Sequence, residues 1–143
     1  MRKLFYWMTS TDMNEARVSA GILFLRIAAG GFMLAFHGWG KLINFGDRWG
    51  KFGDPLGVGS ELSLILTVFA EFFCSLALIL GFKTRAAALP LLITMLVVAT
   101  IVHADDPWNK KEFALLYAIP FLTLMFTGGG KYSLDAKWFR RSD

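Results

Sequence analysis

An all-α membrane protein is the fold class this sequence predicts: a four-transmembrane-helix bundle with both termini in the cytoplasm and interfacial segments at each end. Three observations predict it. The 143 residues are 55% hydrophobic with a mean hydropathy of +0.50, too apolar for an ordinary soluble domain. The apolar residues gather into four runs, about 18–40, 62–81, 86–104 and 112–127. About twenty such residues, rising roughly 1.5 Å each in a helix, cross a hydrocarbon core of about 30 Å with every backbone hydrogen bond made internally. Lysine and arginine are uneven between the two sides: nine fall in the N-terminal segment, the 82–85 turn and the tail, against five in the other two loops. That asymmetry puts both termini inside.

Taken in order, residues 1–17 carry Phe5, Tyr6 and Trp7, rings that settle at a membrane interface, and Asp12 with Glu15 reads as a helix start. The patch LFYWM is too short for a signal h-region and has no cleavage site after it, so the first span is expected to insert uncleaved. The transmembrane domain, 18–130, opens with a run that holds Arg26, His37 and Lys41 among apolar neighbours. At 100° per residue Gly30 lies about 40° from Arg26, His37 about 20° and Lys41 about 60°, so they share a stripe with Ala29, Gly30 and Gly31. A guanidinium keeps its proton, and burying it unpartnered costs about 2.5–3.5 kcal/mol, so this stripe should face protein.

Residues 42–61 are rich in glycine and mix charge with Phe45, Trp49 and Phe52. They cannot span and should lie on the bilayer surface, as a functional loop or as a solvated linker. The second run sets Ser63, Thr67, Glu71 and Ser75 four residues apart, a polar stripe on an apolar helix, and Gly81 ends it. The third holds Pro90 and reaches His103. DDPWNKK turns the chain, and Glu112 opens a slightly short fourth run through Pro120, which the glycines at 128–130 stop. The tail, 131–143, is basic and aromatic, a second interfacial anchor.

Depth suggests which charges meet. Arg26 is eight residues from the inner end of its run and Glu71 ten from the inner end of the next, about 12 and 15 Å. The sequence therefore predicts an intramembrane Arg26–Glu71 pair, functional or purely architectural. Near the outer face His37, Lys41, His103 and Glu112 are expected to line one polar cavity. Imidazoles beside carboxylates would shuttle a proton or hold the polar head of a quinone. Two imidazoles without ligand spacing do not make a metal site. Trp39, Trp49 and Trp108 read as the outer aromatic belt, and Met33, Met95 and Met125 as packing. Cys74 is the one cysteine, which excludes dithiol exchange by this chain alone. The net charge of +4 and pI near 9.4 follow membrane topology; there is no reading motif for nucleic acid.

The pieces LRIAAGGFMLAFHGWGKL, AEFFCSLALILGFKTRAAAL, the run ending in His103, KEFALLYA and GGGKYSLD, in that order, resemble the DoxX family of small four-helix bacterial membrane proteins. The resemblance covers nearly everything after residue 18. It places Arg26, His37, Gly38, Lys41, Glu71, His103, Glu112, Ser133 and Asp135 on the family's recurrent polar positions. It implies a bacterial inner-membrane protein, a membrane subunit of a redox-linked complex that handles a quinone or a small sulfur compound. The alternatives it leaves are a non-enzymatic scaffold or assembly factor and a small-solute or proton carrier. The expected partners are the lipid bilayer, other subunits of a membrane complex and, through the small residues of the first run, a second copy of the chain. An oxidoreductase activity rests on the resemblance alone, since no haem, flavin or dithiol motif is present.

Overall fold

The structure, a computed structural model, describes residues 14–138. The interfacial segment expected at 1–17 therefore lies almost wholly outside the described residues, as does the end of the tail. The first helix, α1 (Glu15–Ile43), starts where the Asn14 side-chain oxygen accepts the backbone N–H groups of Ala16 and Arg17 at 3.0 and 3.2 Å. Asn14 is thus the cap; Asp12, expected in that role, is not among the described residues. Helix α2 (Ser60–Leu80) ends at Gly81, whose φ of 69° turns the chain left-handed while Phe82 N–H reaches back to Ala77 O. Helices α3 (Thr84–Val102) and α4 (Trp108–Thr127) follow, then one short helix, α5 (Leu134–Trp138).

Helices α1, α2 and α3 are long and apolar enough to cross a membrane. Helix α4 has 20 residues, but Lys110, Lys111 and Glu112 occupy its first turns and dilute its apolar content. Buried small side chains bring the helices close: Ala29 on α1, Ala70 and Cys74 on α2, Ala87, Ala88 and Ala99 on α3, Ala114 and Ala118 on α4. Larger residues such as Met33, Leu78, Leu91 and Phe121 fill the remaining space. The bulkiest exposed groups are also apolar. Phe24, Phe36 and Phe126 are each about three-quarters exposed, at 74%, 75% and 76%. Such a surface suits hydrocarbon, not water.

Glycines fix the register between α1 and α2. A side chain at Gly30 would meet Ser75 O at 3.1 Å, one at Gly38 would overlap the backbone of Glu71, and one at Gly81 would overlap the Arg26 guanidinium. Arg26 is therefore level with the end of α2, and Glu71 with Gly38, about 18 Å further along α1. The first turns of α1 overhang α2 by about 16 Å and pack on the chain after α4 instead.

Three stretches widen from α to π geometry: Leu34–Gly38, Phe69–Cys74 and Val98–Val102. In the first, Trp39 N–H bonds to Leu34 O, five residues back. Such bulges recur at functional sites because they shift the side chains that follow. The Leu34–Gly38 and Phe69–Cys74 stretches face each other across the Gly38 contact.

The 44–59 connection is ordered by Asp54, whose carboxylate accepts N–H from Val58 and Gly59 and the hydroxyl of Ser63, at 3.0, 2.8 and 2.8 Å. The Ser63 hydroxyl, then these amides, hold Asp54 below the usual carboxylate range. Its folded value is depressed, so its contribution is complete above the unfolded value of about 3.9 and drains away as pH falls through the folded value. Amide exchange at Val58 and Gly59 should accelerate, relative to the intrinsic rate, as pH drops below about 4. Asp54→Asn should bring that loss of protection to neutral pH.

Candidate functional site

The polar residues form two separate centres. At the first, Arg26 is 1% exposed and donates to two backbone carbonyls, Nη1 to Gly129 O at 3.0 Å and Nη2 to Tyr132 O at 2.8 Å. Asp135 stands within electrostatic reach. The same carboxylate caps α3, accepting Lys83 N–H, Thr84 N–H and the Thr84 hydroxyl at 2.6, 2.8 and 2.7 Å. Ser133 Oγ donates to Gly130 O and accepts Ala136 N–H, and Lys131 N–H donates to Ser19 Oγ. The segment 128–135 thus ties the start of α1, the α2–α3 turn and the end of α4 into one polar knot.

At the second centre Lys41 Nζ lies 2.5 Å from Glu71 Oε2 and donates also to His37 O at 3.4 Å. The Glu71 side chain is 4% exposed and that of Lys41 19%. Helical side chains lean toward the N-terminus of their helix. Lys41 therefore reaches back by one turn to the level of Gly38, where the missing side chain lets Glu71 approach. His37 is half-buried, within electrostatic reach of both charges. Its ring lies 5.8 Å from Phe113 and 5.5 Å from Tyr117 on α4, edge-on to the latter.

The expected Arg26–Glu71 pair is therefore replaced by two other pairings. The depth count assumed that both runs end at one level, whereas the glycine register sets the two charges about 18 Å apart along α1. Each charge is answered, but by different groups: Arg26 by carbonyls more than 100 residues away in sequence, Glu71 by Lys41. The outer cluster also divides. His37 and Lys41 join Glu71. His103 Nδ1 pairs with Asp106 at 2.8 Å, and Lys110 takes the other Asp106 oxygen at 2.8 Å. These hydrogen bonds, Lys110 first and His103 second, hold Asp106 below the usual carboxylate range. Glu112 is exposed and lines a shallow cleft of about 290 Å³ with Trp108, Leu115 and Ile119. Among the described residues no three His, Cys, Asp or Glu side chains gather as a metal site would require.

Gly129 and Tyr132, which answer Arg26 through their carbonyls, carry no side-chain signal that sequence reading could use. The triple glycine reads as a helix stop, which it is. Its further role follows from crowding: a side chain at Gly129 would come within 2.6 Å of Thr84 Oγ1 and 2.7 Å of Ser133 Cβ.

The DoxX family's sequence model matches residues 21–104. A Haemophilus influenzae protein described as an uncharacterized protein is 32% identical over 131 residues, covering 84% of this chain and 92% of its own length. The Escherichia coli inner membrane protein YqjF is 32% identical over 102 residues, 68% of this chain and 77% of that protein. No solved structure matches.

Proposed function

The chain belongs to the DoxX family, and on that footing we propose that it is a four-span protein of the bacterial inner membrane, termini inside, serving as the membrane subunit of a redox-linked complex. In this reading α4 is the fourth span, and His37, Lys41 and Glu71 bind the polar head of a quinone or a small sulfur compound. The observation that carries it is the meeting of three ionisable side chains where two π-distorted stretches face each other within apolar helices. Ionisable groups are costly at such depth and are kept there mostly for function.

The donor set fits a quinone. Lys41 and His37 offer N–H donors for a ring carbonyl, and Phe113 with Tyr117, edge to face with each other, gives an aromatic surround beside the imidazole. A bound quinone would accept electrons, supplied by a partner subunit, since the single Cys74 offers no dithiol. This chain's part would be to orient the head, exclude water and hold protons at His37 Nε2 or Nδ1 and at the Glu71 carboxylate. Trp39 lies beside Phe72, the rings tilted with centroids 6.1 Å apart, and makes a local reporter once the other four tryptophans are replaced by phenylalanine. Titrating a short-chain ubiquinone should quench Trp39 emission saturably, and His37→Ala should weaken the binding about tenfold or more. Quenching that does not saturate, or that is unchanged in His37→Ala, would count against the site.

A scaffold or assembly role is the second reading, and one observation favours it. Lys41 and Glu71 already satisfy each other, so their pair can serve helix register alone.

A further inference from the structure

Beside the polar knot, and apart from the His37 centre, a cleft of about 720 Å³ opens between the start of α1, the start of α3 and the end of α4. Its walls include Ile22, Lys83, Arg85, Gly130 and Lys131. Two carboxylates also line it, but both are engaged. Asp135 takes the backbone of Lys83 and Thr84, and Glu15 is paired with Lys131 at 2.7 Å. Among the described residues no carboxylate lies within ion-pair distance of Lys83 or Arg85. These two exposed cations therefore give the opening a positive character.

The guanidinium of Arg85 is positioned. Its Nη2 donates to Phe126 O at 3.2 Å, and its Nε lies 3.4 Å from where a Gly128 side chain would begin. Gly128, at a φ of 72°, leaves that space clear. One hydrogen bond uses one of five donors, so the rest of the fork is available for a planar or tetrahedral oxyanion. The neighbourhood is amphipathic. Ile22 lines the cleft, and Phe126, whose carbonyl holds Arg85, is about three-quarters exposed at the end of α4, so an anion seated here can carry acyl chains onto apolar surface. Basic pockets between membrane helices bind acidic headgroups in this way.

We propose that this cleft binds a phosphate-bearing anion on Lys83 and Arg85, presented as the headgroup of an acidic phospholipid or as free phosphate. The site does not depend on the quinone reading, and in micelles it does not depend on orientation.

Native mass spectrometry of the full chain in neutral detergent tests it, with phosphatidylglycerol, phosphatidylcholine and inorganic phosphate as probes. The expected result is one phosphatidylglycerol retained in preference to phosphatidylcholine. The preference should fall about fivefold for each cation removed in Lys83→Gln, Arg85→Gln and the double variant. Lys110→Gln with Lys111→Gln, at the other end of the helices, should leave it unchanged. Retention of phosphate alone, lost in Arg85→Gln, would identify the free anion as the ligand. Equal retention of the two lipids with no bound phosphate, or a double variant that binds as wild type does, overturns the proposal. If the double variant does not fold, the wild-type preference between the two lipids decides.

Discussion

Replacing Glu71 by leucine should destabilise the protein by about 3–5 kcal/mol, and replacing Lys41 by methionine in the same chain should restore most of that loss. Glu71→Leu alone leaves an ammonium 19% exposed with its one carboxylate partner removed. Lys41→Met alone strands a carboxylate that is 4% exposed, with the larger desolvation cost. The double change removes both charges and keeps apolar bulk at Gly38. Unfolding in mixed micelles, followed by tryptophan emission, gives the three stabilities and the coupling energy between the two sites. The same variants separate the two functional readings. A double variant that folds and supports the cell as wild type does would make the pair architectural. One that folds but no longer binds quinone would make it part of a site.

The second large effect is expected at Gly81. Its φ of 69° is left-handed, and a methyl there would overlap the Arg26 guanidinium and come within 2.5 Å of Ser133 Cβ. Gly81→Ala should cost about 2–5 kcal/mol, the left-handed backbone adding 1–2 to an overpacking cost of 1–3. Gly21→Ala, where nothing lies within 4 Å, is the matched control and should be neutral or slightly stabilising. Thermal unfolding of the two variants side by side checks both. Equal melting of Gly81→Ala and wild type would mean that the knot is not held where the structure has it.

The helical runs were legible because hydropathy is a property of each segment alone. Helix α1 overruns the expected 18–40 at both ends, and α4 begins before 112, since polar residues extend a helix without adding to its apolar signal. Pairing between segments was less legible. Similar distances from presumed ends gave Arg26 and Glu71 a common depth. The glycines at 30, 38 and 81 set the actual offset, and a glycine's role as a contact is invisible until its neighbour is known. His37 and Lys41, one turn apart, come together near Glu71, whereas His103 was captured by Asp106, three residues on in its own loop. Local partners win there because they require no long-range register. The segment 128–135 was hardest to read as the partner of Arg26, because it answers that charge with backbone oxygen.

Arg26 and its acceptors are 103 and 106 residues apart in the chain. At a synthesis rate of about 5–20 residues per second, the ribosome makes that charge about 5–20 seconds before it makes the oxygens that will solvate it. The charge therefore precedes its acceptors in synthesis, and this pairing closes only when residues 129–132 arrive. Chains halted before that point would lack both acceptors of Arg26, and the start of α1 would lack its contact with the segment after α4.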